Sequence, residues 1–119
     1  MKFNLNGAIS RLVEGTYKEA YRHHHGFKMV EDIVEIQCFP LHSVLLALNQ
    51  TKVDFFGLDV EGAEHGILKT VPWSKVDISV MLVEKSHQDD GGKAMKAYLE
   101  SNGYNTLKIV NEDILVQKK

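Results

Sequence analysis

The chain has 119 residues, 44% of them hydrophobic, which predicts one domain with a buried core. Its 14 basic and 16 acidic residues give a net charge of -2, without the basic excess that nucleic acid or an anionic membrane surface requires. The longest apolar run, Val44 to Leu48, is far shorter than the roughly 20 residues that cross a bilayer, and the polar amino terminus is unlike a signal peptide, so no compartment is assigned. The single cysteine, Cys38, excludes an internal disulfide and a paired-cysteine metal or redox site, and we expect it to be buried as a small hydrophobe.

Residues 1–30 show no sustained period and are expected to form a short strand or two and then an exposed loop. The β-branched segment from Ile33 to Ile36 predicts a strand. Pro40 then opens a helix, because proline lacks the donor of a strand ladder and suits the first turn of a helix. The apolar residues with helical spacing, expected to face the core, are Leu41, Val44, Leu45 and Leu48.

Two nearly continuous apolar segments follow, Val53 to Val60 and Ile78 to Val83, the second ending at Glu84. Such segments are typical of parallel strands covered on both faces, so we expect them to be adjacent, parallel and central in a sheet. Between them, the segment from Ala63 to about Thr70 predicts a helix that Pro72 ends. Its inward residues are expected to be Ala63, Ile67 and Val71.

The last part of the chain predicts one more helix and a hairpin. The helix ends at Gly103, which is expected to be a left-handed cap. Its apolar stripe consists of Met95, Tyr98 and Leu99. Strands are predicted over Tyr104 to Val110 and Ile114 to Gln117, joined by a tight turn. The alternation of strands and helices favours a three-layer α/β fold with parallel strands and an antiparallel final strand at the edge.

Acidic residues follow both central strands, at the end of the sheet where ligands of open α/β folds collect. Asp59 ends the first strand, and Gly62 lets the chain turn sharply and a ligand approach closely. Folding does not require Asp59, so we interpret it as a site carboxylate. Glu61 and Glu64 are either site residues or simply acids in the first turn of a helix, where the helix dipole favours negative charge.

The histidines and two absent motifs reduce the number of enzyme classes that fit the sequence. Adjacent histidines in an extended loop point in alternating directions, so a surface loop is favoured over a metal site for His23 to His25. His42 and His65 are interpreted as ordinary helix residues. A metal-dependent hydrolase that used the histidine run with Asp59 would require distant segments to converge. No G-x-x-x-x-G-K phosphate loop and no G-x-S-x-G nucleophile elbow occurs, which argues against those two enzyme classes.

Several segments occur together at a characteristic spacing. They are Leu-Asp-Val-Glu-Gly-Ala-Glu at 58–64, Leu-Lys-Thr at 68–70 with Pro72 nearby, a strand ending in Val83 and Glu84, and the preceding stretch from Cys38 to Leu48. This combination, over roughly residues 30–119, resembles the FkbM family of S-adenosylmethionine-dependent methyltransferases.

The resemblance implies a class I methyltransferase sheet, Rossmann-like, in which the strands from Val53 onward are the fourth to the seventh of seven. It implies methyl transfer from S-adenosylmethionine to an oxygen nucleophile of a small-molecule or glycan-like acceptor. In such a reaction the protein aligns the nucleophile and accepts its proton. We assign the catalytic role to Asp59, either as the general base or as a ligand for an ion or a substrate hydroxyl, with support from Glu61. Acceptor binding is assigned to Glu84 and His87. No metal ligand and no cofactor-binding residue is assigned.

Family members carry a glycine-rich Asp-x-Gly-Ala-Asn type loop and a ribose-binding acid on earlier strands, and neither is found here. We therefore expect residues 31–119 to be the carboxyl-terminal half of the domain, without its first two strands, and residues 1–30 to be a separate strand and loop segment. The isolated chain should bind S-adenosylmethionine weakly and be inactive. An open sheet edge should make it self-associate, unless residues 1–30 cover that edge. The alternative function is a noncatalytic binding module that retains half of the fold.

Overall fold

The computed structural model describes the backbone of residues 2–5, 11–12 and 32–119, and the side chains from Glu35 onward. The chain divides into two compact units, Met1–Cys38 and Phe39–Lys119. The first unit contains β1 (Lys2–Leu5), β2 (Arg11–Leu12) and β3 (Asp32–Glu35), which form an antiparallel sheet in the order β2-β1-β3. The strands expected in this part of the chain are confirmed. The expected loop and the run from His23 to His25 lie outside the described residues.

The second unit is a four-stranded mixed sheet with three helices. Its elements are α1 (Leu41–Ala47), β4 (Lys52–Leu58), α2 (Glu64–Lys69), β5 (Asp77–Glu84), α3 (Lys93–Ser101), β6 (Tyr104–Val110) and β7 (Asp113–Lys118). The strand order is β4-β5-β7-β6, with β4 parallel to β5 and β7 antiparallel to both of its neighbours. The α/β class, the adjacent parallel pair and the antiparallel last strand are therefore as predicted. None of the helices in the described part of the chain is long and apolar enough to cross a bilayer.

Two strand positions differ from the sequence prediction. β4 was expected to be central, but it lies at the edge of the four-stranded sheet and pairs with β5 alone among the described strands. β7 was expected at the edge, but it lies between β5 and β6. The hydrophobic pattern of a segment indicates that it forms a strand. Which strands lie beside it in the sheet depends on pairing with distant parts of the chain. In the hairpin, the pattern of β6 and β7 does not show which of the two strands bonds to β5.

The core lies around β5 and β7, whose inward residues are almost inaccessible to solvent. The fully buried side chains include Ile78, Met81, Val83, Ile114, Val116, Leu68, Met95, Leu99 and Tyr104. Burial of each large aliphatic side chain stabilises the fold by about 1.5–3 kcal/mol. Tyr104 also satisfies its polar end, because its hydroxyl donates a 2.9 Å hydrogen bond to the carbonyl of Ile78. Burial raises the pKa of the Tyr104 hydroxyl to about 12.

α3 is formed and ended as its sequence predicts. Met95 and Leu99 are buried, and Tyr98 is partly buried against the core. Gly103 follows the helix with φ of 92°, which is the predicted left-handed cap. The hairpin turn at Asn111 is also left-handed, with φ of 53°, a conformation that asparagine tolerates better than most residues.

The inward faces of α1 and α2 differ from the prediction. In α1, Leu45 is buried, whereas Val44 and Leu48 are exposed. In α2, Leu68 and Glu64 are the buried residues, while Val71 is buried just after the helix as predicted. Ile67 is half-buried and packs against the core, as predicted, whereas Ala63 precedes α2 and is half-buried. Helical spacing determines which residues share a face, but the neighbouring elements determine how much of that face is covered.

Cys38 was predicted to be buried and is exposed. It lies in the stretch without regular structure between β3 and α1. The sequence around a lone cysteine does not show whether it is buried, because burial depends on the elements that pack over it.

Among the described strands, β4 pairs with β5 alone, and we predict that its other edge is where the chain self-associates. Phe55 on β4 is 59% exposed. The opposite edge strand, β6, has a register shift between Thr106 and Lys108, and both a bulge and a lysine hinder pairing with another chain. Sedimentation of the purified chain is expected to show a dimer, and Phe55→Lys should shift it towards monomer while Leu107→Lys on β6 should not. A strictly monomeric unsubstituted chain whose first thirty residues are freely cleaved by protease would contradict both this prediction and its alternative, in which residues 1–30 cover the edge.

Candidate functional site

Two loops meet at the carboxyl edge of the parallel strand pair. Leu58 lies opposite Val83, so β4 and β5 end at the same level. The loop of residues 59–63 leads from β4 into α2, and the loop of residues 85–92 leads from β5 into α3. Every site residue predicted from the sequence is in one of these loops or at the end of its strand.

Glu64 and Gln88 join the two loops through a buried contact. The Glu64 side chain is fully buried, and its Oε1 accepts hydrogen bonds from the backbone N–H groups of Val60 at 2.8 Å and Gly62 at 3.1 Å. Its Oε2 accepts a 2.9 Å hydrogen bond from Gln88 Nε2, which also lies 3.4 Å from the Gly62 carbonyl oxygen. Glu64 is therefore the structural support of its loop, and not an exposed acid in the first turn of a helix.

Gln88 was not predicted as part of this region from the sequence. The only available signal was an acid placed directly after a glycine turn, where it can accept the free N–H groups that precede a helix. That signal concerns Glu64, and its partner on the other loop is a matter of tertiary structure.

His87 lies between two carboxyl groups from the two loops. Its Nδ1 is 3.2 Å from Glu84 Oε1, and its Nε2 is 3.5 Å from Glu61 Oε2. The Ser86 hydroxyl donates to Glu84 Oε1 and lies 3.1 Å from His87 Nδ1. Glu61, Glu84 and His87, three of the four predicted site residues, are thus in direct contact, together with Ser86, to which no role was assigned from the sequence.

The carboxyl groups of this edge occupy different environments. Glu84 is 9% exposed, and burial raises the pKa of its carboxyl, an effect that hydrogen bonds from Ser86 and His87 oppose and the nearby Asp59 reinforces. Asp59 is exposed and, among residues 35–119, its carboxyl has no hydrogen-bond partner. Asp59 is therefore the carboxylate most available to a ligand.

Two combinations of side chains bring their ligand atoms within 4.8 Å of one another: Glu61, Glu84 and His87, and Asp59, Glu64 and Glu84. Oxygen and imidazole ligands suit a divalent cation in general. In the second set, both oxygens of Glu64 already accept hydrogen bonds, which makes it the less suitable one.

The backbone of the first loop is in a left-handed conformation at two successive residues. Gly62 has φ of 103°, and Glu61 has φ of 54°, which is uncommon for a residue with a side chain. A Cβ placed on Gly62 would lie 3.3 Å from the Cβ of His87. Glycine is therefore required both for the turn and for the close approach of the two loops.

Gly62→Ala is expected to lower the free energy of unfolding by about 1–3 kcal/mol, because alanine is strained at this φ and crowds His87. Chemical denaturation would measure the change. Gly66→Ala is a matched control, since Gly66 lies inside α2 and a Cβ added there would meet no atom within 4 Å. This control should stabilise the protein by about 0.5–1 kcal/mol. Equal effects of the two substitutions would show that the conformation of Gly62 is not required.

Comparison of the chain with known protein families gives a match. The Methyltransferase FkbM domain matches residues 4–106. The chain belongs to the FkbM methyltransferase family. Comparisons with curated proteins and with solved structures gave no significant match.

Membership confirms the resemblance found in the sequence, and the match begins well before residue 30, where that resemblance began. It suggests methyltransferase activity and does not favour the noncatalytic alternative. Methyltransferase families in general use a cofactor of the S-adenosylmethionine type. The edge that carries Asp59, Glu61, Glu84 and His87 lies within the matched residues.

Proposed function

We propose that the FkbM domain transfers a methyl group from S-adenosylmethionine to an oxygen nucleophile, with Asp59 as the proton acceptor. The observation that carries the proposal is the exposed Asp59 carboxyl at the carboxyl end of β4, beside the cluster of Glu61, His87 and Glu84. Open α/β sheets bind their ligands at this end of the strands. A carboxylate without a hydrogen-bond partner there is free to accept one from a substrate hydroxyl.

The acidic character of the edge fits the cofactor chemistry. S-adenosylmethionine supplies an electrophilic methyl carbon when it is bound. It carries sulfonium and ammonium cations, and the net negative charge of the acids along this edge is compatible with a cationic cofactor. The residues present therefore fit this cofactor class.

The site residues would have different roles in the reaction. Asp59 would accept the proton of the acceptor hydroxyl as the hydroxyl oxygen bonds to the methyl carbon and the bond from that carbon to the sulfonium sulfur breaks, leaving the neutral thioether of the cofactor. Because Asp59 is exposed, it would then release the proton to water. Glu61 supports it from the same loop, and Glu84 and His87 line the acceptor side. Alignment of the nucleophile supplies much of the remaining rate enhancement in a displacement of this kind.

The test is transfer of a labelled methyl group from S-adenosylmethionine by the native polypeptide that contains this domain. A panel of small hydroxylated molecules and glycans would serve as acceptors. Label in an ether linkage that resists mild alkali is the expected result. Label recovered only on nitrogen or carbon, or no transfer to any acceptor, would contradict the proposal.

Binding of S-adenosylmethionine to the isolated 119 residues is expected to be weak, because the sequence has no glycine-rich cofactor loop of the family type. Titration calorimetry would measure it. Low-micromolar binding would contradict this expectation and would show that these 119 residues bind the cofactor by themselves.

A further inference from the structure

The conformation of Glu61 requires an explanation. Its φ of 54° costs about 1–2 kcal/mol for a residue with a side chain. Such a conformation persists only where the surrounding structure holds it. The carboxyl of Glu61 is half-buried and faces the second loop, where its Oε2 lies 3.5 Å from His87 Nε2.

His87 is itself fixed by its own loop. Its Nδ1 lies 3.2 Å from Glu84, a residue that is nine-tenths buried at the end of β5. Its Cβ is packed closely against Gly62, where no side chain would fit without displacement. An imidazole that is held at one nitrogen presents the other nitrogen in a defined direction.

We propose that His87 is a positioning residue that holds the carboxylate of Glu61, in the loop that also carries Asp59, at the acceptor side of the site. The inference rests on the proposed function, in which Glu61 supports proton acceptance by Asp59. The side-chain contacts therefore run from Glu84 at the end of β5, through His87, to Glu61 in the loop after β4. Without the imidazole, nothing among the side-chain contacts of the described residues holds the Glu61 carboxylate in place.

Kinetics of the native polypeptide test whether His87 acts through Glu61. His87→Ala and Glu61→Gln are each expected to lower kcat about tenfold with little change in KM for S-adenosylmethionine, because alignment and not cofactor binding is lost. The double variant should be no slower than either single variant, since the two residues act as one unit. His87→Gln should recover part of kcat, because its amide can still donate to Glu61. His65→Ala on α2, outside the cluster, is the control and should keep kcat.

A second measurement on the 119-residue chain tests the contact without any activity. The imidazole nitrogen signals of His87 in NMR spectra should shift in Glu61→Gln and stay in place in Glu100→Gln, an exposed acid on α3. An unchanged His87 signal, or losses of kcat that multiply in the double variant, would overturn the positioning role alone. Absence of methyl transfer by the unsubstituted native polypeptide would overturn the proposed function, whatever the NMR result.

Discussion

Asp59→Asn is expected to lower the rate of methyl transfer by about 10²–10⁴, because an amide cannot accept the proton of the nucleophile. Asp59 is exposed and has no hydrogen-bond partner among residues 35–119, so the substitution should leave the fold unchanged. The measurement is kcat of the native polypeptide, together with its thermal stability and its affinity for S-adenosylmethionine. Both of the latter are expected to stay close to those of the unsubstituted protein.

Asp54→Asn is the matched control, since Asp54 is an exposed aspartate near the start of β4, away from the carboxyl end that Asp59 follows. It should leave kcat unchanged. Near-normal turnover of Asp59→Asn would show that another group accepts the proton, and unfolding of this variant would show that Asp59 is structural.

Glu64→Ala is expected to lower the free energy of unfolding by about 2–4 kcal/mol, the largest stability effect that we predict. The substitution removes the acceptor of the N–H groups of Val60 and Gly62, and it also removes the partner of Gln88. A buried polar group that loses its partner costs about 1–3 kcal/mol. Chemical denaturation of the 119-residue chain would measure the loss.

Glu64→Gln separates the hydrogen bonds from the size of the side chain, and Glu100→Ala is a surface control. Glu64→Gln retains one oxygen for the backbone N–H groups but turns an amide towards Gln88, so about 1 kcal/mol should be lost. Glu100→Ala removes an exposed acid whose partners are Lys96 and the Thr106 hydroxyl, and it should change stability by less than about 0.5 kcal/mol. A loss as small for Glu64→Ala as for Glu100→Ala would show that water replaces the buried contacts.

The sequence by itself determined the elements and the end of the sheet that carries the site. Runs of apolar residues specify β4 and β5, and helical spacing with Gly103 as a cap specifies α3. These are local signals, because side chains two or four positions apart share a face whatever the rest of the chain does. The acids of the 59–64 segment could be assigned to the carboxyl edge for the same reason, since they directly follow a strand.

Only the tertiary structure decided which strands are neighbours in the sheet and which side chains contact one another. The edge position of β4 and the insertion of β7 between β5 and β6 depend on strand pairing between distant segments. Glu64 has the residue type of a surface acid, yet Gln88 from the other loop and two backbone N–H groups make it a buried support. Residue type and spacing along one loop carry no information about the loop that packs against it. For that reason the contact of His87 with both Glu61 and Glu84 emerges only when β4 and β5 are paired in register.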